Sequence, residues 1–173
     1  MDSLNNDSVR FVPGNDDVWK TEAMGQARCS LVSIGYEGRT SEGLLEILVQ
    51  LGVDTLVDVR LTPLSRKPGL SKTKLAAGSE AVGVRYVHLP ALGNPKDNRD
   101  SFREGRPKEG CIRFSALLAR PASIASMDQL EALARDGRVA VLCFERDHDR
   151  CHRQVIVNEL TDRLGDHLKL IHA

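Results

Sequence analysis

The residues able to do chemistry fall in four short stretches. One is Cys143-Phe144-Glu145 followed by Cys151-His152-Arg153. Cys143 ends an apolar run and, on its own, reads as a small core residue. Cys151 reads as part of the first turn of the closing helix. There the helix dipole and Arg150, His152 and Arg153 would favour a thiolate and offer a seat for phosphate. Cys143 and Cys151 with His88 or His152 are a conceivable zinc set, but C-x7-C-H lacks the usual ligand spacing and no metal is assigned. His148 reads as solvated loop, and Cys29 and Cys111 as structural or incidental.

A second stretch runs from Asp58 through Lys74. From Arg60 onward it holds Arg60, Arg66, Lys67, Lys72 and Lys74 and no acid. The planar guanidinium suits phosphate or carboxylate, so Arg60 and Arg66 are the expected anion binders. Lys72 and Lys74 read as a solvated helix surface. Asp58 either holds loop N–H groups and orients Arg60 or serves as an acid/base. His88 closes a third stretch as a general base or ligand, or as a structural histidine. The fourth is Gly35-Tyr36-Glu37-Gly38-Arg39-Thr40, a glycine-bearing turn into a helix. It could present N–H groups to an anion, or be a plain turn with an N-cap. It matches neither the dinucleotide pattern nor the P-loop.

Alternating elements must position these stretches. Strands are expected at Leu31–Ile34, Thr55–Val59, Arg85–Leu89, Val139–Phe144 and Leu168–Ile171. Leu44, Ile47, Leu48 and Leu51 recur at helical spacing behind Thr40 or Ser41, with Gly52 just past the end. Further helices are expected from Ser71, around Phe114, from a Ser126/Gln129 capping box, and from Asp149. Residues 91–110 read as a long polar loop. The fold class is α/β, one domain over 29–173. Its sheet has about five strands, parallel or mostly parallel, with helices on both faces in a Rossmann-like three-layer sandwich. Right-handed crossovers bring every strand-to-helix loop to one edge, where such folds bind ligands. The four stretches should therefore line one pocket.

Composition narrows the options. The chain has 173 residues, 24 Lys plus Arg and 24 Asp plus Glu, which argues against bulk attraction to DNA or membranes, so any such binding would need a local patch. Four cysteines make no disulfide scaffold. There is no apolar run long enough for a membrane span and no secretory signal, so a cytoplasmic setting is expected. Residues 1–28 read as a disordered or loosely docked tail, with Trp19 as its one apolar anchor.

The blocks Ile34-Gly35-Tyr36-Glu37-Gly38, Leu56-Val57-Asp58-Val59-Arg60, Pro63 through Ser71, Tyr86 through Pro95, and Cys143-Phe144-Glu145 with Cys151-His152-Arg153 resemble domain-of-unknown-function family 488, from about Ser30 to Leu160. The resemblance implies an α/β domain with these blocks converging, and supplies no activity. A fainter likeness runs to rhodanese-like domains, where Asp-x-Arg ends one strand and Cys a later one. The chain departs from that pattern after Cys143. It lacks the glycine-bearing anion loop and has Glu145 where it would repel an anion.

Three readings of function follow. The first is an enzyme or binding domain for a phosphorylated, nucleotide-like or nucleic-acid-like anion. It uses Gly35, Tyr36, Arg60, Arg66 and Arg153 for binding and Glu37, Asp58, His88, Glu145 and Cys151 as acid/base or nucleophile candidates. The second is thiol chemistry at Cys151 or Cys143. The third is a non-catalytic binding module using the same pocket. The sequence names no cofactor and no protein partner.

Overall fold

The computed structural model describes residues 29–173. The expected tail, with Trp19, lies outside the described residues. Five strands form one parallel sheet: β1 (Cys29–Gly35), β2 (Thr55–Asp58), β3 (Arg85–His88), β4 (Val139–Cys143) and β5 (Leu168–His172), in the order β3-β2-β4-β1-β5. Pairing is in parallel register throughout, with Gly35 beside Cys143 and Asp58 beside both Leu142 and His88. The expected α/β class holds.

The helices are α1 (Ser41–Gln50), α2 (Lys72–Ala81), α3 (Lys96–Arg103), α4 (Pro107–Leu118), α5 (Pro121–Asp136) and α6 (Arg153–Leu164). Thr40 caps α1 by accepting from Gly43 N at 3.1 Å, as its position predicts. Alternate strand residues feed two cores. Val32, Ile34, Leu56, Ala140 and Leu142 pack against Leu44 and Leu48 of α1 and Leu75 of α2. Leu31, Val57, Val139 and Val141 face Phe114, Leu130 and Ile156 of α4, α5 and α6. This two-sided burial explains why the central strands β2 and β4 are buried along their whole length, whereas the edge strands β3 and β5 carry exposed polar residues.

Three expectations need correction. Residues 91–110 are not a loop: a 3-10 turn at Pro90–Leu92 leads into α3 and the start of α4. Polar residues hid α3, whose Asn98, Ser101 and Phe102 are buried. Helix α5 starts at Pro121, because proline preset for the first helical turn begins it upstream of Ser126. Helix α6 starts at Arg153, not after Asp149. The Asp149 N–H is taken up by Asp147 Oδ1 at 3.0 Å in a preceding turn. Cys151 therefore sits ahead of the helix rather than in its first turn.

The topology sets the crevice. β4 lies between β2 and β1, whose chains leave toward α2 and α1 on one face, whereas β4 leads to α6 on the other. Diverging exits open the sheet's carboxyl edge at the end of β4. Under that point Phe114 is buried and meets the His152 ring edge-on at 4.9 Å. Replacing Phe114 by Ala is expected to lower the unfolding free energy by about 3–5 kcal/mol, read by urea denaturation. A loss under about 1 kcal/mol would show that this core does not bear on the site.

Candidate functional site

The end of β2 carries a buried ion pair. Asp58 is fully buried and Arg60 nearly so. Arg60 donates to Asp58 from its backbone N at 3.0 Å, from Nε at 2.8 Å and from Nη2 at 2.5 Å. Tyr86 on β3 donates to Asp58 Oδ2 at 2.6 Å. Burial, then this carboxylate, push the Tyr86 phenol well above its ordinary value. Arg60 Nη1 donates to the Leu70 carbonyl at 2.9 Å and to Tyr36 Oη at 3.2 Å. Its guanidinium also lies 5.0 Å from the Tyr36 ring centre. The fork expected to hold an anion is thus largely committed inside the protein. Asp58 is fully engaged as its counter-charge, and His88 Nε2–H donates to the Arg60 carbonyl at 2.9 Å. His88 is a brace for this turn.

The end of β4 gathers four other groups. Glu145 Oε2 lies 3.0 Å from Cys143 Sγ and 3.2 Å from Cys151 Sγ. His152 Nδ1 lies 3.7 Å from Cys143 Sγ and 3.6 Å from Cys151 Sγ. A hydrogen bond from Cys151, outweighing burial with help from the charges of His152 and Arg153, holds Cys143 well below the usual thiol range. Burial and the neighbouring Cys143 push Cys151 well above it. Burial, then the Cys143 charge, raise Glu145. His148 is half-buried rather than a solvated loop residue: its Nδ1 meets Ser33 Oγ at 2.8 Å, and its ring meets His172 at 4.5 Å. Burial, with the charges of His172 and Arg153, brings its pKa down to about 4.

Two adjoining cavities, of about 240 and 290 Å³, meet at Arg103, Phe144 and Glu145. The first is lined by Tyr36, Arg60, Arg99, Cys143 and His152 among others, and the second by Glu37, Asp147 and Arg150. Of the residues expected at the site, Tyr36, Arg60, Glu145 and Cys143 thus meet at one cavity, and Glu37 lines its neighbour. Gly35 lies beneath Glu145. Arg66 is exposed, His88 half-buried and Arg153 fully buried, and none of the three lies in either lining. Asn94, Arg99 and Arg103 were missed because their segment reads as loop. Pro95 ahead of Asp97, with Arg103 seven residues after Lys96, is the helix-start and helix-end pattern that could have revealed them. Arg99 Nε donates to the Asn94 carbonyl at 3.0 Å, and Arg103 Nη1 is 3.9 Å from Asp100. Both keep guanidinium nitrogens for a ligand.

A parallel α/β domain with a crevice at the carboxyl ends of its strands is the class this geometry defines. A family model described as domain of unknown function DUF488 matches residues 40–160, and the chain belongs to that family. No curated protein and no solved structure matches the chain. Among the described residues no helix is long and apolar enough to cross a membrane.

Arg60→Ala leaves Asp58 buried and uncompensated, so the expected loss of stability is about 3–5 kcal/mol, measured by chemical denaturation. Unchanged stability with abolished anion binding would instead make Arg60 a ligand residue.

Proposed function

We propose that the cleft binds a small phosphorylated or nucleotide-like anion and presents it to the Cys143, Glu145 and His152 groups on its floor. The observation carrying this reading is charge placement. Arg60, Arg99 and Arg103 line a cavity whose one acidic wall residue is Glu145. Arg60 is neutralised by Asp58, which leaves Arg99 and Arg103 as the phosphate contacts. Guanidinium groups favour phosphate through paired N–H donors.

The walls also offer apolar surface. Phe144 is exposed, braced edge-on by Tyr36 at 5.3 Å, and faces the same cavity as the exposed Leu61 and Leu64. An aromatic face beside arginines suits a nucleobase next to its phosphate. A rhodanese-like thiol reaction fits less well. Both sulfurs are hydrogen-bonded to the Glu145 carboxylate, at 3.0 and 3.2 Å, so neither stands free to attack a sulfur donor.

Calorimetry with pyrophosphate and with a nucleoside diphosphate tests the assignment. Arg99→Ala and Arg103→Ala are each expected to weaken binding by about 10-fold or more, the worth of one charge-assisted hydrogen bond. Lys72→Ala and Lys74→Ala, on the exposed face of α2, are expected to leave it unchanged. Equal affinity in both arginine variants would refute the proposal.

A further inference from the structure

We infer that Cys143, Glu145, Cys151 and His152 hold one zinc ion at the floor of the cleft. The inference goes beyond the anion reading and stands without it.

The first support is geometry. One ligand atom from each of the four residues lies within 4.8 Å of the others. A tetrahedron with Zn–S of about 2.3 Å and Zn–N of about 2.0–2.1 Å has S···N edges of about 3.6 Å. His152 Nδ1 stands 3.6 and 3.7 Å from the two sulfurs. Two sulfurs, an imidazole and a carboxylate in that arrangement select zinc over magnesium or calcium.

The second support is charge. Two thiols and a carboxyl pack within hydrogen-bond range, largely out of water. Zinc replaces the thiol protons. Each sulfur gives an electron pair to the ion, and any proton still carried by either cysteine leaves to solvent as its S–H bond breaks. Two thiolates, one carboxylate and a divalent cation sum to one negative charge. Arg153 supplies the matching positive charge. It is fully buried, its Nε donates to Ser33 Oγ at 3.1 Å and its Nη2 to the Arg146 carbonyl at 3.5 Å. Its Nη1 has no partner, and among the described residues no carboxylate pairs with it. A buried guanidinium with only neutral partners is costly unless a nearby anion balances it.

The third support is access. Glu145 lines both cavities, whereas Cys151 is buried beneath them. Cys143 and His152 line one cavity and Glu145 both, so Glu145, the most open of the four and the one oxygen donor among softer ligands, is the ligand that a water or a phosphate oxygen would displace, leaving the two sulfurs and His152 in place. That is the open position a catalytic zinc requires.

The test is metal content of the full chain purified without chelator, measured by mass spectrometry. About one zinc per chain is expected. Cobalt substitution should give the strong visible bands and sulfur-to-metal charge transfer of a tetrahedral thiolate site. Cys143→Ser combined with Cys151→Ser should abolish both signals, and Cys111→Ser, outside the cluster, should keep them. Circular dichroism checks that the double variant folds. If it does not, Glu145→Ala read by chelator competition replaces it, with zinc expected at least about tenfold weaker. A wild type that takes up no zinc, zinc retained unchanged in these variants, or a Cys143–Cys151 disulfide in the freshly purified protein would overturn the inference. Zinc is read with no phosphate present, and the Arg99 and Arg103 titrations can be run on zinc-stripped protein, so either proposal can fail alone.

Discussion

The carboxyl edge of the sheet depends on how closely the chain leaving β4 passes over the end of β1. A Cβ on Gly35 would stand 1.9 Å from the Glu145 carbonyl oxygen and 2.7 Å from the Arg146 Cα. Backbone cannot yield that much, so only glycine fits. The approach continues the parallel pairing past the strands. Tyr36 N donates to the Cys143 carbonyl at 3.3 Å and Glu37 N to the Phe144 carbonyl at 2.9 Å. Glu37 Oε2 then accepts from Arg146 N at 3.2 Å. Held in this way, the chain turns the Glu145 carboxylate back onto the two sulfurs. Glycine at this position thus serves a contact between neighbouring backbones rather than an anion.

The Asp58–Arg60 pair is the second anchor, and it acts across the sheet. It ties β2 to Tyr86 on β3, to Tyr36 after β1 and to Leu70 before α2. A buried pair of this kind is a poor source of net stability but a strict selector of one arrangement. Here the arrangement selected is the cleft wall. The Gly93 turn is fitted against it: a Cβ there would lie 2.3 Å from Leu61 N. That turn delivers Asn94 and hence α3, with its two arginines, to the cavity.

Much of this was legible in the sequence. Continuous apolar strands, punctuating glycines and the α1 stripe were enough for a parallel α/β sheet, and the sheet rule then sent the polar loops to one edge. Tyr36, Arg60, Cys143 and Glu145 meet there. What could not be read was pairing at a distance. Arg60 looks like a free anion binder until Asp58 is seen to occupy its fork. Cys151 looks activated by a helix terminus until that helix begins two residues later, which leaves the thiol buried against Cys143. Helix α3 carries too few apolar residues for periodicity to show, and Phe102 is its single aromatic anchor.

The measurement that bears most directly on the account is a backbone amide NMR titration of the full chain with pyrophosphate. It reports where an anion sits without presuming any chemistry. The account predicts perturbations confined to Tyr36, Leu61, Asn94, Arg99, Arg103, Phe144 and Glu145, saturating together as one site. Shifts centred on Arg66, Lys72 and Lys74, or no saturable shift at all, would contradict it.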